Sequence, residues 1–270
     1  MMKKGLAIGL TLAIGISGCA NLKQEPVAKK VVTFTDQDKI SIVLPKVESS
    51  SAKEVFSKIG GLSYSKYLEN GSVRFINNWE SSENSFKVTR SACGWVSGNC
   101  NFLRNSTVTI DGSLVLENTD ASSKIVLYPQ KYNQDTTSNF LTGQPHFSWL
   151  DLSSKDLKET LSSAGYPWKF EVNSEFPGDA VYANFQRLSR AEKSSGQGYT
   201  DDVTGKIFKE RFWLKVGTSD IPVTIETYPY RNGSKVIVNA KLSPVVSGNE
   251  LNYVEAIKLL EQRVKEIVNS

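Results

Sequence analysis

Apolar and polar positions along this chain repeat with two periods, two and 3.6, and the two fall in separate stretches. Runs of strand character lie at 31–34 and 40–44, on either side of the polar Asp36, Gln37 and Asp38. They return at 72–79, 85–90, 106–116 and 124–128, with breaks at Gly112 and at Asn118, Thr119 and Asp120. Between the second and third of these runs, Ser51 and Glu54 fit a capping box. Val55, Phe56 and Ile59 share one face, and Gly60 and Gly61 stop a short helix.

The stretch 130–145 is polar, with only Phe140 and Leu141 to bury, and predicts a domain boundary. Beyond it Ser153 and Asp156 make a second capping box, with Leu152 and Leu157 placed as a hydrophobic staple. Leu157, Leu161 and Ala164 line that helix, and Gly165 ends it. Strands are predicted at 168–172 and around 181–188, followed by a polar loop over 189–205. In 207–216 Phe208, Phe212, Leu214 and Val216 alternate with Lys209, Arg211 and Lys215. Runs at 222–230 and 235–242 flank Asn232 and Gly233, the strongest short-range hairpin signal. Ile257, Leu260, Val264 and Ile267 then recur at helical spacing within 252–268. The pattern predicts an α+β protein: antiparallel sheets with helices packed on one face, in two domains at 31–130 and 146–270, the second ending in a long helix.

The first eighteen residues follow neither period. Lys3 and Lys4 precede an apolar run at 6–16, too short for a hydrocarbon core of about 30 Å, and the order is that of a signal peptide. Ile16, Ser17, Gly18 and Cys19 resemble the lipobox of bacterial lipoproteins, with Ile16 where that family most often has Leu. The resemblance implies that the Cys19 thiol takes a diacylglycerol, that signal peptidase II cleaves before it, and that the new amino group is acylated. In enteric-type bacteria Asp after the cysteine favours the inner membrane, so Ala20 implies the outer membrane, on its periplasmic face. Several acyl chains on one residue hold firmly, at about 0.8 kcal/mol per buried methylene. Residues 19–30 are then the lipidated cysteine and a polar tether, whose last eleven residues reach at most about 35–40 Å.

Composition narrows the picture only a little. The 270 residues carry 32 basic and 28 acidic side chains; without Lys3 and Lys4 the 32 fall to 30, a net of +2. No Lys/Arg block forms a basic face, so nucleic acid is not an expected partner. With Cys19 lipidated, Cys93 and Cys100 remain, bracketing a turn-rich stretch. In an oxidising compartment they predict a disulfide closing a small loop within the first domain, worth roughly 2–3 kcal/mol in the chain-entropy model. A metal site is the sharper alternative, but the spacing is wide and His146, the one histidine, is remote.

Other candidate chemistry is thin. His146 stands where a loop is expected, with no G-x-S-x-G elbow for it to serve. Asp201 and Asp202, with Glu175 and Asp179 upstream, lack the alternation of a calcium loop. No catalytic residue, cofactor or metal is predicted. Trp213 alternates with Lys209, Arg211 and Lys215 opposite Phe212 and Leu214, while Tyr228 and Tyr230 flank Pro229. Arg211, Trp213, Tyr228 and Tyr230 are therefore candidates for an exposed partner or glycan surface, unless the last helix covers them. The second region resembles the helix-grip arrangement, as in the paired domains of the lipoprotein component C of the outer-membrane β-barrel assembly machinery. That resemblance is one of architecture, not motifs, and implies no residue roles. The expected function is a non-catalytic envelope lipoprotein held in the membrane through Cys19 and recognising an envelope protein. A carrier of lipid or another apolar ligand is the alternative, and an envelope glycan hydrolase a more distant one.

Overall fold

The strand-forming runs assemble into two antiparallel sheets in a computed structural model that describes residues 30–67, 73–94, 106–136, 151–188, 190–191, 199–200, 207–244 and 250–270. After a 3-10 turn at Asp36–Asp38 come β1 (Ile40–Pro45), α1 (Ala52–Ser57), β2 (Tyr64–Tyr67), β3 (Val73–Ser81), β4 (Ser85–Gly94), β5 (Ser106–Asn118) and β6 (Ser122–Thr136). Then follow α2 (Ser154–Ser163), β7 (Tyr166–Ser174), α3 (Gly178–Leu188), β8 (Arg190–Ala191), β9 (Tyr199–Thr200) and β10 (Phe208–Val216). The last elements are β11 (Ser219–Tyr230), β12 (Gly233–Leu242), β13 (Glu250–Asn252) and α4 (Tyr253–Val268). The chain is an α+β protein.

The first sheet has the order β13-β1-β6-β5-β4-β3-β2, antiparallel except where β13 lies parallel to β1. The second has the order β7-β12-β11-β10-β8, with β9 also on β10. Strand period two puts one face of each sheet inside. On the second sheet Phe212, Leu214, Val223, Ile225, Val236 and Val238 are buried, and α3 and α4 cover them. Phe185 of α3 stacks on Phe212 at 5.5 Å between ring centroids, and Ser174 donates to the Val268 carbonyl near the end of α4 at 3.3 Å. The α4 stripe of Ile257, Leu260, Val264 and Ile267 is buried as its spacing predicts. Buried apolar side chains from both sheets form one contiguous cluster.

Local signals explain most helix starts. Ser153 and Asp156 form the reciprocal capping box on α2, and the staple residues Leu152 and Leu157 are both buried. On α1 only half the box forms: Ser51 accepts from the Glu54 amide, while the Glu54 carboxylate accepts from Ser49 instead. Gly112 sits at a bulge between β5 and β6, and a Cβ there would lie 2.1 Å from the Tyr128 carbonyl oxygen and 2.6 Å from the Phe86 ring.

Four expectations need correction. Residues 31–34 form no strand: no neighbour pairs with them, and Val31 is 89% exposed. The stretch around 181–188 is helical, not extended. Val181 and Phe185 are four apart, a spacing that satisfies both periods, and the Pro177 carbonyl accepts from the Ala180 and Val181 amides to start the turn. The hairpin is present, but its two-residue loop is Arg231 and Asn232, and Gly233 opens β12 opposite Tyr230. Gly233 answers a close approach: a Cβ there would lie 2.0 Å from the Ser174 carbonyl oxygen. The loop's left-handed residue is Arg231, at φ 53°. The polar stretch from 130 begins as strand, since β6 pairs with β5 through Thr136.

Candidate functional site

Trp213 lies on β10 opposite Phe212 and Leu214, which are fully buried, so period two turns it to the face away from α3 and α4. It is half-buried there, with the Arg211 guanidinium 5.8 Å above its ring. Across this face Lys209, Glu226, Ile237 and Glu171 stand in one row, and Arg211, Thr224, Asn239 and Lys169 in the next. Lys209 pairs with Glu226 at 2.5 Å and Lys235 with Glu171 at 2.6 Å. The Tyr228 hydroxyl donates to Glu226 at 2.8 Å. The Lys209 ammonium, acting first, and Tyr228 hold the Glu226 carboxyl below its ordinary range, against a smaller opposing push from burial. Tyr230, 38% exposed at the hairpin tip, carries Arg231 over its ring at 5.2 Å. The fold thus brings Arg211, Trp213 and Tyr228 onto one sheet face and leaves Tyr230 at its margin.

A second constellation, not foreseen from sequence, lies on the inner face of the first sheet. Asn77, Arg90, Val108 and Gln134 stand in register across β3, β4, β5 and β6, and the three polar ones are buried. Arg90 donates through Nε to Asn77 at 2.8 Å, through Nη1 to the Asp151 carbonyl, and through Nη2 to the Asp156 carboxylate at 3.1 Å. Lys30 reaches the Asp151 carboxylate at 2.6 Å, and its amide donates to Gln134. Tyr132 also donates to Asp151, at 3.1 Å. Burial, then the neighbouring Asp151, push the Tyr132 hydroxyl up to about 12. Burial also pushes Asp156 up, but hydrogen bonds from Ser153 and the Arg90 charge outweigh it and leave the carboxyl below its usual value. Every charged group here is matched, so the arrangement clasps α2 and Lys30 to the sheet. A signal existed in retrospect: Arg90 and Asn77 fall on the apolar phase of their strands, next to Val88 and Phe75.

The cavities open to solvent among the described residues include two near these elements. One, of about 410 Å³, lies between the start of α3 and the β11–β12 hairpin, lined by Phe208, Pro229 and Arg231 among others. The other, of about 360 Å³, lies between α1 and β3, lined by Phe56, Ile59, Leu62 and Trp79 with Glu80 at its rim. Glu175 and Asp179 are exposed, and Asp179 accepts from the Ala180 amide. Among the described residues no cluster of His, Cys, Asp or Glu is placed to hold a metal. No helix among them is long and apolar enough to cross a membrane. Cys19, Cys100, His146, Asp201 and Asp202 lie outside the described residues, as does the Cys93 side chain, although its backbone belongs to β4.

No protein-family model matches the chain, and no curated protein matches it. Two solved structures are similar to it at low level. The di-domain ARO/CYC StfQ from the steffimycin biosynthetic pathway is 9% identical with a TM-score of 0.21, over 84% of this chain and 93% of that one. DynU16, a protein of the dynemicin biosynthetic locus, is 11% identical with a TM-score of 0.17, over 86% of this chain and 94% of that one. TM-scores this low carry no argument about function.

Proposed function

We propose that the chain is a non-catalytic lipoprotein, acylated on Cys19 and held at the outer membrane facing the periplasm, where it serves as an accessory component that recognises another envelope protein. Cys93 and Cys100 close a structural disulfide in this reading. The sequence of Lys3, Lys4, the apolar run at 6–16, Ser17, Gly18 and Cys19 supports the anchor. The observation that carries recognition is Trp213, half-buried under Arg211 on the sheet face that the helices leave open. Trp, Tyr and Arg dominate binding energy where a partner desolvates them, and this face holds all three. A carrier reading has less support, because Leu260, Val264, Ile267 and Phe212 fill the space between α4 and its sheet.

The test is a photo-cross-linking residue placed at Trp213, with a control at Lys131 on the first sheet, in the intact lipoprotein in its own membrane. One reproducible adduct at Trp213, absent at Lys131 and lost on Arg211→Glu with unchanged circular dichroism, supports the proposal. The same products at both positions, or none at either, sink it. Cys19→Ser should release the protein from the membrane fraction. Retention would refute the anchor.

A further inference from the structure

The second sheet ends on β7, and β12 lies along one of its two sides. The alternation of hydrogen bonds decides which residues face the other side. The β11–β12 hairpin closes at Tyr230 and Gly233 across a two-residue loop, so that pair exchanges both of its hydrogen bonds. Counting in twos from there, Ser234, Val236, Val238, Ala240 and Leu242 turn their main-chain groups toward β7. Their partners are Ser174, Val172, Phe170, Trp168 and Tyr166. Pro167, Lys169, Glu171 and Asn173 therefore direct N–H and C=O outward. Pro167 fits this assignment, since proline is tolerated where its missing N–H would face away from the sheet.

The open edge has definite limits. Gly60 and Gly165 exchange two backbone hydrogen bonds, at 2.8 and 3.0 Å, on the outward side just before β7. At the other end the chain bends at Glu175 and Phe176. Among the described residues no strand lies on the outward side of the stretch 167–173, and Phe170 is its midpoint. An exposed edge of this length is a template for another strand unless charge or shape prevents it.

We propose that this edge pairs with the same edge of a second copy of the chain, antiparallel about a two-fold axis through Phe170. The sequence is self-complementary in that register. Lys169 stands opposite the second copy's Glu171, twice, with both bonds formed at each pairing. Pro167 stands opposite Asn173 with the single bond that proline allows. On the inner face Phe170 meets Phe170, and Trp168 meets Val172, in the closer non-hydrogen-bonded positions that favour aromatic pairs. Trp168 and Phe170 are only partly covered in the single chain, so the pairing buries their open sides. Glu171 already accepts Lys235 at 2.6 Å, and the second Lys169 completes a three-charge row.

Alternative registers fail for stated reasons. A slip by one residue sets outward groups against inward ones. A slip by two sets Lys169 against Lys169 or Glu171 against Glu171, and like charges directly opposite are destabilising. The axis runs perpendicular to the sheet, so both copies present Trp213 on the same side. The pairing does not depend on what that face recognises.

The full lipidated chain in detergent, followed by analytical ultracentrifugation, tests this directly. The wild type should be dimeric. Lys169→Glu should weaken the dimer about tenfold or more, since it creates two like-charge pairs. Lys169→Glu with Glu171→Lys should restore it, because the swapped charges again oppose each other. In intact membranes Phe170→Cys should give a disulfide-linked dimer, its Cβ atoms falling within disulfide range. Thr224→Cys on the interior β11 should not. A wild-type monomer, an uncross-linked Phe170→Cys protein, or a charge swap that fails to restore the dimer would each overturn the proposal.

Discussion

The first sheet takes α2 by different physics from that which seats α3 and α4 on the second. On the second, the row Phe212, Val223, Ala240 and Trp168 crosses four strands without a charge, and α3 and α4 seat on it by apolar area. On the first, the corresponding row is Asn77, Arg90, Val108 and Gln134, and α2, which also buries Leu157 and Leu161, is fixed by Arg90 gripping the Asp151 carbonyl and the Asp156 carboxylate. Apolar burial is non-directional and stabilises in proportion to area. A buried guanidinium is directional and stabilises only while every partner is present. The difference teaches that this polar cluster marks where an element is docked at a fixed angle. Its acid and base groups already satisfy one another.

Truncation separates the two modes. Phe212→Ala empties a fully buried site packed against Tyr182 and Phe185 and should remove about 3–5 kcal/mol from the unfolding free energy. Arg90→Ala leaves Asn77 and the Asp151 carbonyl without the guanidinium and Asp156 with Ser153 alone, and should remove about 2–4 kcal/mol. Urea denaturation measures both. The contrast would fail if Arg90→Ala proved neutral, because a dispensable guanidinium cannot be what docks α2. Smaller again is Gly233→Ala, in which the new methyl meets the Ser174 carbonyl oxygen; about 1–3 kcal/mol is expected by the same measurement. An unchanged midpoint there would show that the end of β7 can move aside.

The second sheet was the more legible of the two in the sequence for the same reason. Apolar docking leaves a periodic trace, so the stripe from Ile257 to Ile267, the alternation in β10 and the Asn232–Gly233 hairpin could all be read from the residues. Reading failed at Val181 and Phe185, where a spacing of four fits helix and strand alike, and at 31–34, where strand propensity met no partner. The Arg90 clasp left little trace, because Asn77, Arg90, Gln134 and Asp156 are brought together by register across four strands and a helix. Trp213 and Arg211 were legible as an outward pair because they depend on period two alone. Tyr230 was harder to place: it closes the hairpin loop, directly opposite the glycine that signalled it.

The smallest expected effect is a pH dependence confined to the clasp. Asp156 has its folded pKa lowered by Ser153 and Arg90, so its contribution is present above the unfolded carboxylate pKa of about 3.9 and is lost as pH falls through the lower folded value. Asp156→Asn removes that charge and keeps one acceptor oxygen, which can serve Ser153 or Arg90 but not both. Near neutral pH the variant should be less stable by about 0.5–1 kcal/mol, the scale of one helix-capping interaction. Acidified from pH 5 towards pH 2, the wild type should lose more stability than the variant, and the two should converge at the acid end. Tyr132 does not disturb this window, since its hydroxyl is held near 12 and stays protonated throughout. Parallel acid profiles would mean that Asp156 is no better paired in the folded state than in water. The clasp would then rest on Asn77 and the Asp151 carbonyl alone, and the first sheet would hold its helix by neutral hydrogen bonds more than by charge.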